Sequence, residues 1–136
     1  MIQKIVHDPM LLARKSAPAT LLDAAVAKDL LETLNANRDR CVGMAANMIG
    51  QLRRIIVFDG GTGARVLYNP EYLARTGPYR TEEGCLSLPG TRETTRYRTI
   101  RVRYQDGNFQ NREETFQGFA AQIIQHEMDH LEGILI

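Results

Sequence analysis

The sequence is short of histidine and cysteine and has no long apolar run. Its 136 residues include three histidines and two cysteines. No stretch approaches the length of a membrane-spanning helix. The N-terminus, Met1-Ile-Gln-Lys-Ile-Val-His-Asp8, carries charges where a signal peptide needs an apolar segment. Charge imbalance is also missing: a formal net charge of +1 gives no general attraction to nucleic acid or to an anionic membrane. Internal repeats, linkers and low-complexity tracts are absent. A cytoplasmic protein with no nucleic-acid or membrane partner is expected. In a reducing compartment the lone pair Cys41 and Cys85 is more often buried, catalytic or metal-bound than disulfide-linked.

The composition, 43% apolar and 24% charged, is that of an ordinary globular protein. Residues 1–136 read as a single domain, long enough to bury about two-thirds of its unfolded surface. Residues 1–18 look irregular, broken by Asp8-Pro9 and Ala17-Pro18, with His7 on the surface. Thr20 is a candidate N-cap with Asp23 closing a capping-box variant. Leu22, Val26, Leu30 and Leu34, widened by Ala27 and Leu31, then form the apolar stripe of an amphipathic helix of roughly four turns. After the loop 37–40, Cys41-Val-Gly-Met-Ala-Ala-Asn-Met-Ile-Gly50 is small, apolar and glycine-bounded, which lets backbone approach closely.

Arg54–Phe58 reads as a short buried strand, Asp59–Gly63 as a turn, and Arg65–Tyr68 as the returning strand, closed by Asn69-Pro70. A polar link leads to Glu82-Glu-Gly-Cys-Leu-Ser-Leu-Pro89. Ile100, Val102 and Tyr104 alternate with Arg101 and Arg103, a half-buried strand. Asp106-Gly107 turns it into a partner strand running toward Phe116. The arginines at 92, 96, 98, 101 and 103 read as the solvated face of this sheet. Gln117-Gly118 opens a final helix, its early turns buried by Phe119, Ile123 and Ile124 and its end set by Gly133. Strands with an early and a late helix indicate an α+β domain.

That last helix carries the chemistry. Gln125-His126-Glu127-Met128-Asp129-His130 contains H-E-x-x-H. Positions four apart share a helix face, so His126 and His130 can reach one metal ion, with Glu127 beside them to handle a proton. The bland alternative, two solvated histidines beside a chance glutamate, leaves three fixed positions unexplained. A catalytic site of this type needs a third protein ligand and an open position for water. Downstream of His130 the only ionisable side chain is Glu132, on another helix face. The third ligand is expected upstream, from His7, Cys41, Cys85 or a carboxylate. Cys85, in an apolar extended segment after Gly84, is slightly favoured over Cys41, since a buried thiol beside a divalent cation becomes a thiolate ligand.

Three segments together resemble the peptide deformylase family. Glu83-Gly-Cys-Leu-Ser-Leu-Pro89 and Gln125–His130 are similar to its second and third signature motifs, and Cys41–Gly50 to its first, G-φ-G-φ-A-A-x-Q. The resemblance implies antiparallel sheets around the C-terminal H-E-x-x-H helix, and a metal held by Cys85, His126 and His130 with water as fourth ligand. The implied ion is Fe²⁺, with Zn²⁺, Ni²⁺ or Co²⁺ able to occupy the site. The implied substrate is an N-formylmethionyl peptide, and the implied reaction removes formate from the N-terminal formyl-methionine of nascent proteins. Glu127 is then the proton carrier, and the backbone N–H of Leu86 an oxyanion donor. Gly43 and Gly84 lie along the peptide, and Val42, Phe119 and Ile123 form the methionine pocket.

Two departures accompany the match. Cys41 replaces the first glycine, and Met48 stands where the family carries glutamine. A thioether donates no hydrogen bond, and one lost oxyanion donor typically costs about 3 kcal/mol. Asn47, one residue along an extended segment, should point away; Gln51 and Gln122 are other candidate donors. The chain also ends six residues past His130, short of the C-terminal element with which some members dock the ribosome. It is similar to the short, divergent branch of the family. The competing reading is a deformylase-like metalloprotein with weak or no deformylation, acting on another N-acyl group or binding formyl peptides. A zinc endoprotease and a metal-free binding module follow behind it.

Overall fold

The computed structural model describes all 136 residues. The elements are α1 (Pro9–Leu12), α2 (Ala24–Ala36), β1 (Gly43–Ala45), β2 (Ile55–Asp59), β3 (Ala64–Cys85), β4 (Leu88–Gln105), β5 (Asn111–Gln117) and α3 (Gly118–Leu131). The strands form one antiparallel sheet in the order β1-β2-β3-β4-β5, so the domain is α+β.

The capping box before α2 forms as its residues indicate. Thr20 Oγ1 accepts the Leu22 N–H at 3.2 Å, and Asp23 Oδ2 accepts the Thr20 N–H at 2.8 Å. Leu21–Asp23 is a 3-10 turn rather than α-helix. Its tighter three-residue period rotates Leu22 off the stripe, leaving it 93% exposed while Leu30 and Leu34 are fully buried. Residues 1–18 are less irregular than their prolines imply. Asp8 accepts the Met10 N–H and Pro9 sits at the start of the one-turn α1, a position that needs no N–H.

β2 lies at the centre. Ile55 and Val57 face α2, where they pack with Leu30, Leu34, Met44 and Met48. Ile56 and Phe58 face α3, where they pack with Ile100, Val102, Ile124 and Met128. Both faces being covered, the strand reads as a continuous apolar run. β3 does not end at Asn69-Pro70. Asn69 adopts φ 51°, a left-handed conformation asparagine tolerates. Its side chain holds both backbone groups of Ala19 and the Gln105 amide at 2.7–3.0 Å. After register shifts at Tyr68/Glu71 and Tyr72/Ala74, the strand runs on to Cys85 as a ribbon with β4. Residues 71–81 were expected to be a link because a two-stranded ribbon, mostly exposed, lacks the apolar alternation of a half-buried sheet.

α3 ends in a Schellman motif: the Ile134 N–H donates to the Asp129 carbonyl at 3.0 Å and the Gly133 N–H to His130 at 3.1 Å. Gly133, at φ 76°, lies against the backbone of Ala13, where a side chain has no room. At the other closest approach, β1 presses on α3 through Gly43. A Cβ there would lie 2.5 Å from Ile123 Cγ2 and 3.0 Å from Glu127 Oε2. Gly43→Ala is therefore expected to lower unfolding free energy by about 1–3 kcal/mol, read as a shift in urea midpoint at constant slope. An unchanged midpoint would mean that β1 and α3 separate freely.

Candidate metal centre

Three ligand atoms converge between β3 and α3. Cys85 Sγ, His126 and His130 each offer one donor, all within 4.8 Å of one another. Sγ is 3.3 Å from His130 Nε2, which is 3.2 Å from His126 Nε2. Bonds of about 2.0–2.3 Å at tetrahedral angles place such atoms roughly 3.3–3.6 Å apart, so the set fits a single ion. Cys41 is not part of it. It lines the same cleft, where burial, reinforced by the charges of Glu127 and Cys85, pushes its thiol up to about 11. His7 is exposed and lies outside the triad.

The triad rests on a buried ion network that the reading of residues did not anticipate. Glu83, two residues before Cys85, accepts from His126 Nδ1 at 2.8 Å. That bond fixes a proton on Nδ1 and turns Nε2 toward Cys85 and His130, where a cation would take the place of the ring's second proton. Glu83 also accepts from Arg96 Nη2 at 2.7 Å and Nε at 3.0 Å, and from Gln122 Nε2 at 2.9 Å. Arg96 Nη1 reaches Asp129 Oδ2 at 2.7 Å. Arg96 was expected on the solvated face but is 3% exposed. Strand parity turns 101 and 103 outward but does not single out 96, since Arg98 shares its parity and is exposed; Arg96 is buried because Glu83 and Asp129 meet it. Arg92 is half-buried, while Arg98, Arg101 and Arg103 are exposed as expected.

These surroundings separate the titrations of four neighbouring groups. Burial would raise Glu83, but hydrogen bonds from His126, Arg96 and Gln122 outweigh it and hold the carboxyl at about 2. Burial likewise works against a charged His126, yet hydrogen bonding to Cys85 and Glu83 lifts it to about 10. Burial and the charge on His126 press His130 down to about 3. Glu127 is raised to about 7, mainly by burial. Its Oε1 is buried without a hydrogen-bond partner in the protein, as a group awaiting a proton donor would be.

The triad opens into a cleft of about 600 Å³. Val42, Gly43, Met48, Gly84, Leu86 and Ile123 line it, and Phe119 stands at its wall 60% exposed, not buried as its place in the helix implied. Met48 is 1% exposed, and its Sδ accepts the Ala45 N–H at 3.5 Å. Asn47 points away, as expected, though for another reason. Residues 46–49 form a 3-10 turn, not an extended segment, and Asn47 Nδ2 donates to the His130 carbonyl at 3.0 Å. Gln51 is exposed and outside the cleft lining. Gln122 lines the cleft but spends one N–H on Glu83.

The sequence profile of the Polypeptide deformylase family matches residues 2–136. A protein of Clostridium beijerinckii named peptide deformylase is 54% identical over 136 residues, 100% of both chains. One from Caldanaerobacter subterraneus is 38% identical, covering 96% of this chain and 82% of the relative. The crystal structure of peptide deformylase from Thermotoga maritima superposes with TM-score 0.89 at 34% identity, covering 99% of this chain and 95% of that one. A Met-Ala-Ser-bound deformylase from Acinetobacter baumannii superposes at 0.88 with 29% identity, covering 99% and 97%.

Arg96→Ala strands the buried Glu83 carboxylate. It is expected to cost about 3–5 kcal/mol in chemical denaturation, and Arg96→Met with Glu83→Met to recover much of that. A single-mutant loss under 1 kcal/mol, a magnitude ordinary for exposed pairs, would remove the network from the site's foundations.

Proposed function

This chain belongs to the peptide deformylase family, and we propose that the cleft described above is where that family's reaction runs, with Cys85, His126 and His130 holding one divalent metal ion. The enzyme removes the formyl group from the N-terminal formyl-methionine of nascent polypeptides and releases formate. The observation that carries the site assignment is the convergence of three ligand atoms beside a buried, unpartnered Glu127 oxygen. The ion itself is proposed to be Fe²⁺; Zn²⁺, Ni²⁺ and Co²⁺ also suit a thiolate with two imidazoles. No helix is long and apolar enough to cross a membrane, and we place the enzyme in the cytoplasm.

When bound, the ion supplies Lewis-acid chemistry, acidifying a water and polarising the formyl carbonyl. Glu127, next to His126 on α3, takes a proton from the attacking water. The hydroxyl adds to the formyl carbon, the C–N bond breaks, and Glu127 returns the proton to the departing amine. Negative charge building on the formyl oxygen meets the backbone N–H of Leu86, at the turn after Cys85. Met48 adds no donor there. The peptide runs past Gly43 and Gly84, where the missing side chain of Gly43 lets substrate and α3 share one narrow approach. Val42, Phe119 and Ile123 take the methionine side chain, the last two lying one helical turn apart on the face that ends at His126.

No observation favours the alternative of a deformylase-like protein without deformylase activity, and the full-length 54% identity opposes it. The test is formate release from a formyl-Met peptide by protein loaded anaerobically with Fe²⁺ or Ni²⁺. Glu127→Gln should retain the metal and lose about 10²–10⁴-fold in rate; near wild-type release would remove Glu127 from the mechanism. Because only the carboxylate accepts a proton, the rate should rise with pH through an acidic limb. Burial puts that limb near 7, and the cation, by favouring the anion, moves it lower. A limb above 7 contradicts this assignment.

Met48→Gln tests the oxyanion side. A glutamine oxygen can keep the Ala45 N–H bond while its amide offers a donor to the cleft. The expected result is a higher kcat, bounded at about a hundredfold by the worth of one such donor, with KM little changed. An unchanged kcat would show that the oxyanion is already fully supported without position 48, and a lower one that the 46–49 turn does not accept glutamine.

A further inference from the structure

The third histidine has no part in the reaction just described, yet it touches the strand end that carries Cys85. His7 Nδ1 lies 2.9 Å from the Ser87 carbonyl, across 80 residues of sequence. A carbonyl only accepts, so Nδ1 carries the proton and His7 is the donor. Ser87 in turn donates its backbone N–H to Cys85 Sγ at 3.5 Å. One residue thus receives a hydrogen bond from the N-terminal arm and gives one to the sulfur. The adjoining residue of the arm holds the opposite wall of the cleft: the Val6 N–H donates to the Met48 carbonyl at 2.8 Å.

The arm is itself anchored on both sides of these two contacts. The Gln3 N–H donates to Thr33 Oγ1 on α2 at 2.9 Å. Asp8, directly after His7, caps α1 and is held extended by Pro9, with φ −75° and ψ 111°. A side chain on a loose terminus would gain little by bonding a distant carbonyl, because ordering the chain would cancel it. Here the chain is already ordered before and after, so the imidazole meets Ser87 with little further entropy loss.

We propose that His7 is a positioning residue of the metal centre. By donating to the Ser87 carbonyl it sets the backbone of the Leu86-Ser87 turn, and so the N–H···S bond to Cys85 and the aim of the Leu86 N–H. Outer partners that orient a ligand tune both metal retention and ligand electronics. The inference rests on the reading that Cys85 is a ligand.

Two variants of nearly equal size separate the hydrogen bond from mere bulk. His7→Asn places an amide N–H near the position of Nδ1, whereas His7→Leu offers no donor. Each protein is reconstituted with Co²⁺ without oxygen. The readouts are the sulfur-to-cobalt charge-transfer band, the rate of metal loss to a chelator, and kcat and KM with a formyl-Met peptide. His7→Asn should match wild type. His7→Leu should shift the band, lose Co²⁺ about tenfold faster, at the low end of what outer partners cost, and lower kcat more than KM. The thermal midpoints of the metal-free variants should agree, since His7 is exposed. Wild-type behaviour from His7→Leu, or Leu-like behaviour from His7→Asn, would overturn the proposal. A wild-type protein with no sulfur-to-cobalt band would overturn the ligand assignment and this inference with it.

Discussion

The Glu83 carboxylate is the point on which the site depends. It is 8% exposed, and an unpaired anion at that depth would protonate or unfold its surroundings. Three donors from two elements keep it charged: Arg96 from β4, and Gln122 and His126 from α3. Each of those bonds also has a geometric effect. Arg96 ties the exposed ribbon to α3 through Asp129, and His126 is turned so that its second nitrogen faces Cys85 and His130. Arg96 offsets one of the two carboxylate charges, and the other is set against His126, which the network favours in its charged form. A metal bound to Nε2 would take the place of that ring's second proton, as wherever an imidazolium becomes a ligand.

The other constraint is steric. α3 must deliver two histidines and a glutamate to a place that β1 also reaches, and the absence of a side chain at Gly43 makes both fit. Glu127 is therefore enclosed on the side of β1 and dry enough for its carboxyl to sit near neutrality. The same closeness makes the substrate's path narrow. In the proposed mechanism a peptide running past Gly43 meets backbone rather than a side chain, which suits an enzyme that must accept many different sequences after the methionine.

How much of this the residues announced follows from how local each feature is. His126 and His130 were legible because i and i+4 share a helix face. The strand at 99–104 was legible because alternation is a short-range pattern, and the α2 cap because Thr20 and Asp23 are three residues apart. Cys85 could be preferred over Cys41 only by a narrow margin from its neighbours, and the fold places Cys85, not Cys41, beside the two histidines. The burial of Arg96, the bond from His7 to Ser87 and the length of β3 were not read. The partners of Arg96 lie 13 and 33 residues away and that of His7 80 away; an exposed ribbon also shows no apolar period. Leu22 was misplaced by a change from α to 3-10 geometry within one turn, which side-chain spacing alone does not reveal.

Position 48 shows how a turn can keep its shape when a functional group is exchanged. The 3-10 turn at 46–49 needs an acceptor for the Ala45 N–H, and the Met48 sulfur takes that place at 3.5 Å, a weak bond compared with one to an oxygen. Its flexible thioether also fills space beside Met44 and Ile49 in the α2-side core, a role methionine performs well. Met48 therefore preserves capping and packing while giving up donation into the cleft. In the proposed mechanism the Leu86 N–H, at the turn after β3, is then the donor left to the developing oxyanion. That mechanism leans on the Leu86-Ser87 turn, whose Ser87 carbonyl accepts from His7 at 2.9 Å.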